Sequence, residues 1–228
     1  MFSFVMEMEG LDFKGALEYL ARKAGVELET FQGQGGPSSK TKERVYEALD
    51  LSAKFYQVQF SKSKIALDYV FKTRKFNKET ALNFRLGYAP NNGSALADFL
   101  QKKDFTLKEI EQAGLTTKRY SGTADMFRGR LMIPLCDPNG RVIGFTARQL
   151  DDDPNAPKYI NTPQTMLYDK SRHVYGLHQA KEASRKSAIA VLVEGNLDVI
   201  ASHQVGVTNV AATAGTALTE QHLKAISR

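Results

Sequence analysis

The chain has 228 residues, 42% hydrophobic and 25% charged, with 31 basic and 25 acidic side chains and a formal net charge of +6. That mix excludes a disordered chain, a collagen-like fibre and a coiled coil, and it allows one or two domains with a sizeable core. One cysteine, Cys136, and no Cys-x-x-Cys pair exclude an internal disulfide, leave no visible zinc site and fit a reducing, cytoplasmic compartment.

Residues 1 to 29 read as helix, with Leu17, Leu20, Ala21 and Ala24 at helical spacing and Gly25 as a stop. Residues 32 to 41, rich in Gly and Ser, read as a linker. Residues 43 to 115 read as mostly helical. Val45, Leu49, Ser52, Phe55 and Tyr56 form one stripe, and short helices are predicted at Ile65 to Phe71, Glu79 to Phe84, Ala95 to Lys102 and Leu107 to Ala113. Gly114 is a candidate cap.

The period then changes. Leu131, Ile133 and Leu135 alternate, and Asp137-Pro138-Asn139-Gly140 is turn chemistry, so a β-hairpin is predicted from Arg130 to Leu150. Residues 151 to 165 show no period and read as a long loop. Leu177 to Lys186 reads as helix. The last segment is βαβα. Ala188 to Val193 is a six-residue apolar run suited to a parallel strand buried on both faces. Asn196 to Gln204 is a helix stopped by Gly206, Val207 to Thr213 is a second strand, and Thr219 caps a helix to Ser227. That apolar run is the longest in the chain and far short of the ~20 residues a membrane helix needs. The opening Met1-Phe2-Ser3-Phe4 has no signal-peptide pattern.

In a strand–helix–strand unit, ligands sit beyond the carboxyl ends of the strands. That rule points to Glu194-Gly195 and Gly215-Thr216. Glu194 follows the first strand directly, and Asp198 lies in the next helix's first turn, where the helix dipole favours a carboxylate by ~0.3–1 kcal/mol. The pair reads either as a solvated turn and helix start or as the beginning of a magnesium or acid–base cluster. Residues 118 to 186 hold twelve Lys or Arg against seven Asp or Glu, so an anionic partner is expected there. Asp151 to Asp153 read as a solvated loop, Arg141 as the solvated face of the hairpin, and Cys136 as a bystander. His173, His178, His203 and His222 read as surface or packing residues.

Val193 to Ile200, followed by Asn209 to Thr219, resembles the opening half of a TOPRIM domain, in the spelling of bacterial DnaG-type DNA primases. The resemblance continues upstream through Phe2 to Leu28, Phe84 to Pro90, Arg128 to Pro134, Gly140 to Arg148, Pro157 to Pro163 and Tyr168 to Leu177. It implies an α+β and α/β fold: a helical and β-hairpin subdomain followed by an incomplete, Rossmann-like TOPRIM unit. The implied division is a helical tail of a zinc-binding domain over 1–30, a linker over 31–42, the N-terminal subdomain of the catalytic core over 43–186, and the first half of TOPRIM over 187–228.

The resemblance also implies a DNA-directed RNA polymerase that makes short primers on single-stranded DNA. Its expected partners are ribonucleoside triphosphates, Mg2+ or Mn2+, and a replicative helicase bound through a further domain, in the bacterial cytoplasm and without a membrane. Glu194 then matches the catalytic glutamate, with Asp198 beside it as a metal-site acid. Arg74, Arg128, Arg130, Arg148, Lys158, Tyr159, Asn161 and Lys170 match residues of the template and nucleotide groove. Zinc ligands and an Asp-x-Asp strand are not in the sequence, so the expectation is a fragment that does not extend primers alone. Other TOPRIM chemistries, such as topoisomerase or nuclease, and a non-catalytic single-strand binder are the competing readings.

Overall fold

The computed structural model describes residues 2–9, 13–24, 38–119, 122–151, 153–213, 215 and 217–227. In place of one opening helix there are two, α1 (Phe2–Glu9) and α2 (Phe13–Ala24). The Phe2 and Phe13 rings meet at 5.5 Å. A straight helix would separate residues eleven apart by about 16 Å, so apolar contact favours folding the segment back. Gly25 and residues 31–37 lie outside the described residues.

Helix α3 (Ser39–Lys62) begins inside the stretch that composition marks as linker, because the Ser38 side chain accepts the Thr41 N–H at 3.1 Å. Val45, Ala48, Leu49, Ser52, Ala53, Tyr56 and Phe60 form its buried stripe. After α4 (Lys64–Leu67) the chain widens into a π-helical turn, Asp68–Thr73, where an ordinary helix is expected. Next come α5 (Lys78–Asn83), β1 (Gly87–Ala89), α6 (Ala95–Gln101) and α7 (Leu107–Gln112), with Gly114 following at φ +69°. Strand β1 lies in a stretch read as helical. Gly87 permits it: a Cβ there would stand 2.5 Å from the Tyr56 Cβ on α3. A small hairpin, β2 (Thr116–Arg119) and β3 (Gly122–Asp125), has no counterpart in the sequence reading.

The predicted long hairpin is present as β4 (Arg130–Cys136) and β5 (Val142–Gln149). Asp137 Oδ1 accepts the N–H groups of Asn139 and Arg141, and Gly140 supplies φ +79° in the turn. Residues 159–161, inside the predicted loop, form β6 (Tyr159–Asn161). The four-stranded antiparallel sheet runs β1-β4-β5-β6. Alternation in β4 hides a second fact: both faces are buried. Leu131, Ile133 and Leu135 join the core shared with the C-terminal unit, while Met132, Phe145 and Ala147 join the core under α3, α6 and α7.

Helix α8 (Leu177–Ser187) leads into β7 (Val191–Val193), α9 (Asn196–Gln204), β8 (Val210–Ala212) and α10 (Glu220–Ile226). Strands β7 and β8 pair in parallel, and Tyr175 bridges Ala212 on the far side of β8. Thr219 caps α10 as expected. Strand β7 is not buried on both faces: Val191 is 39% and Leu192 37% exposed, because among the described residues only β8 pairs with it. Among the described residues no helix is long and apolar enough to cross a membrane.

Two buried polar features predict measurable behaviour. Asp125 accepts the N–H groups of Leu96 and Ala97 at 2.8 and 3.0 Å, capping α6 from a distant strand. Asp125→Ala leaves two buried donors unpaired, so a denaturant melt should show a loss of about 2–4 kcal/mol. Burial pushes His173 down to about 3 and His178 to about 4. Unfolding lets both protonate near their ordinary value, so stability is full above about pH 6.5 and falls as pH drops toward 4. Melts at pH 7 and pH 5 should differ by about 1–2 kcal/mol per histidine. His173→Phe, which keeps a ring against Tyr168, should remove about half of that difference.

Candidate nucleic-acid interface

The basic residues gather where β5 ends and β6 pairs with it. Strand register sets Arg148 opposite Tyr159 and Thr146 opposite Asn161. Arg148 Nη1 donates to Tyr159 Oη at 2.7 Å, and its guanidinium lies 5.2 Å from the Tyr159 ring centre and 4.9 Å from that of Tyr69. Arg74 Nε donates to Tyr69 Oη at 2.6 Å, with its guanidinium 5.5 Å from the same ring. Tyr69, Arg148, Gln149, Asp151, Asp153 and Lys158 line a cleft of about 460 Å³ beside this cluster. Lys158 and Tyr159 are exposed. The arrangement offers phosphate-binding cations next to rings on which a base can stack.

Arg130 differs from its neighbours. It is 8% exposed, and its Nη1 donates to the Pro157 carbonyl at 2.8 Å. Burial lowers its pKa, with nearby Asp151 opposing that shift. Its role in the structure is to anchor the loop that carries Lys158 and Tyr159. Arg128 is half-buried, just before β4. Lys170 is exposed on the loop packed against α10, where His222 Nδ1 accepts the Thr219 N–H and Nε2 faces the Lys170 carbonyl at 3.3 Å.

Glu194 and Asp198 are both exposed beyond the end of β7. The Asp198 carboxylate folds back over the chain: a Cβ on Gly195 would stand 2.8 Å from its Oδ2. That oxygen is the free end of an exposed side chain, so a Cβ there would turn the carboxylate aside rather than break the turn. Asn161 and the Glu194 turn are joined by a buried relay. Asn196 Nδ2 donates to Thr146 Oγ1 at 3.0 Å, and Thr146 Oγ1 donates to Asn161 Oδ1 at 2.8 Å. This relay ties β6 to the residue two positions past Glu194.

Sequence reasoning missed Tyr69, Thr146 and Asn196. Thr146 is a polar residue inside an apolar stretch, which is a usable signal, since buried polar groups have partners; Asn196, between Glu194-Gly195 and Leu197-Asp198, carries no such signal. Tyr69 and Arg74 meet only because the wide turn brings them together, and helical periodicity carries no sign of that. Arg141 is not a free solvated face: it is stacked 3.4 Å from the Tyr46 ring centre and paired with Glu43. Burial raises the Cys136 thiol to about 12, an inert state. Asp151 and Asp153 are exposed, Asp153 serving its own turn by accepting the Asn155 N–H, and Asp152 lies outside the described residues. Among the described residues no group of three or more His, Cys, Asp or Glu could hold a metal. Glu194 and Asp198 suit a hard cation in kind; in number they fall short of a centre.

A mixed core subdomain joined to a parallel βαβα unit, with a polar cleft flanked by ordered arginines, is the class that the fold and site define. The chain belongs to the family described as DNA primase catalytic core, N-terminal domain, whose model matches residues 55–181; a Toprim-like model matches residues 191–228. A DNA primase of Streptomyces coelicolor is 40% identical over 99% of this chain and 36% of its own length. The RNA polymerase domain of Mycobacterium tuberculosis primase, solved in complex with double-stranded DNA, superposes with TM-score 0.77 at 38% identity, covering 82% of this chain and 60% of that one. The Aquifex aeolicus primase, with zinc-binding and RNA polymerase domains, gives TM-score 0.74 at 34% identity over 97% of this chain and 53% of that one. The chain thus spans a little over a third of the curated relatives it matches.

The relay predicts a stability effect. Thr146→Val keeps the shape but leaves the buried Asn196 Nδ2 and the Asn161 Oδ1 without their shared partner. A denaturant melt should show a loss of about 1–3 kcal/mol, and hydrogen exchange should quicken at the start of α9. A melt like that of the parent would show that the relay does not tie the two units together.

Proposed function

We propose that this chain supplies the N-terminal part of a primase polymerase core, a DNA-directed RNA polymerase of the nucleotidyltransferase kind that primes synthesis on single-stranded DNA. The single observation that carries the reading is a cleft lined by Tyr69, Arg148 and Lys158, with Arg74 bonded to Tyr69 and Tyr159 to Arg148 beside it, and with strand β6 tied to the Glu194 turn by hydrogen bonds. Phosphates of the template would meet the cations, an interaction that weakens as salt rises. Bases would stack on Tyr159, worth ~1–3 kcal/mol each. Ribonucleoside triphosphates carry the same anionic chemistry and would compete for the same cations.

Glu194 is the proposed acid–base or metal-organising group, and Asp198 its neighbour at the helix start. A divalent ion, Mg2+ or Mn2+, would neutralise charge on the triphosphate when bound. Arg128 and Lys170 are assigned to the edges of the groove, and Arg130 and Asn161 to holding its floor. A replicative helicase partner and a cytoplasmic setting belong to the same proposal, as does zinc in the wider protein, which the zinc-binding domain named for the Aquifex aeolicus primase supports. In a non-catalytic single-strand binder the same cleft would bind DNA while Glu194 stayed idle; the position of Glu194 at a parallel strand's end favours the enzyme reading.

Binding tests the cleft directly. Arg148→Glu combined with Lys158→Glu should weaken binding of a single-stranded oligonucleotide by about 10-fold or more at low salt. The control carries the same reversals at Lys54 and Lys186, each paired within its own helix to Asp50 and Glu182. Equal losses in both proteins would reduce the effect to net charge and end the assignment of the groove.

A further inference from the structure

Five arginines of the described chain fall into two groups by what holds them. Arg44 is fixed by Glu47 and Glu109, Arg85 by Asp50, and Arg141 by Glu43. Arg74 and Arg148 pair with no carboxylate among the described residues. Both meet Tyr69 instead. One donates to its oxygen at 2.6 Å, and the other lies 4.9 Å from its ring centre. The difference matters chemically. A carboxylate that orders an arginine also cancels its charge. A tyrosine orders it through a lone pair and a ring face and leaves the positive charge whole.

The backbone serves this arrangement. The Arg74 N–H donates to the Tyr69 carbonyl at 2.9 Å, the i to i+5 bond of the π-helical turn. In an α-helix, residues five apart diverge by about 140° around the axis. The wider turn brings the two back to one side, and such turns are frequent at functional sites. Two guanidinium groups brought together repel each other. Holding them in advance means that a polyanion need not meet that ordering cost when it binds.

We infer that Tyr69 is a positioning residue of the cleft: it holds Arg74 and Arg148 against one ring, with no carboxylate among the described residues to neutralise them, for the phosphates of single-stranded DNA. This rests on the groove reading given above, and the test separates the two. The affinity of the full 228-residue chain for a labelled oligothymidylate is measured by fluorescence anisotropy across a salt series. On single strands each neutralised phosphate contributes about 0.7 to the slope of log affinity against log salt.

Tyr69→Phe keeps the ring beside Arg148 and removes the acceptor for Arg74. It should weaken binding by about 2- to 5-fold and flatten the slope by about 0.7, with an unchanged thermal melt. Tyr69→Leu removes both attachments and should weaken binding by about 10- to 30-fold, flattening the slope by about 1.4. The partial recovery with Phe is the signature of positioning; a role confined to packing would move the melt and leave the slope alone. Parental affinity and slope in both Tyr69 variants, beside losses in Arg74→Ala and Arg148→Ala, would overturn the inference and leave the groove standing. Parental binding in the two arginine variants would overturn the groove reading, and the role of Tyr69 with it. Should Tyr69→Leu fail to fold, Tyr69→Phe decides alone: an unchanged slope with an unchanged melt overturns the inference.

Discussion

Burial of the β4–β5 hairpin on both faces is the constraint on which the rest of the molecule depends. One face packs under α3, α6 and α7; the other packs against α9 and β8. Because side chains alternate, a slip of one residue would exchange the two faces and spoil both cores at once. The Asp137 turn and the irregularity between Leu135 and Cys136 fix the register against such a slip. The candidate interface inherits that precision. Arg130 and Arg148 project from the hairpin itself, and Tyr159 and Asn161 are placed by pairing with it. The Glu194 turn is joined to the same strand through Thr146 and Asn196.

What could be read in the sequence followed what is local. The Asp137 to Gly140 turn, the helices from α5 to α7, the C-terminal βαβα order and the cap at Thr219 each carry their signal within a few residues. Strands β1 and β6 do not. Each has three residues, too few for a period, and each is a strand only because β4 or β5 lies beside it. The apolar run from Ala188 shows the opposite error. Composition marks it as buried, yet burial is a property of neighbours, and among the described residues Val191 and Leu192 have few. The same division holds at the site. Glu194 and Asp198 follow from the strand-end rule alone. The contact of Asn196 with Thr146 joins residues fifty apart in sequence and had to be seen.

Charge is handled differently in different parts of the molecule. Arg44, Arg85 and Arg141 are structural ties whose carboxylate partners neutralise them. Glu109, bonded to Arg44 and to the Thr106 backbone, is held down to about 2, so that tie persists across the working range of pH. Around the cleft the partners are phenols and a carbonyl, which orient cations without removing their charge. An overall charge of +6 says little about this division. For Arg44, Arg85 and Arg141 against Arg74 and Arg148, the partner separates scaffold from surface offered to a polyanion.

The widened turn at Asp68–Thr73 also makes the placement of Arg74 unusually sensitive to chain length. It holds one more residue per hydrogen-bonded loop than the helix before it. Removing one residue between Tyr69 and Arg74 would let the segment relax to ordinary helical pitch with the two still four apart on one face, whereas adding one would set them about 120° apart around the axis. An insertion cuts no strand, yet it would part Arg74 from the ring that orders it. Insertions at this point therefore act as a coarse dial on the placement of surface charge.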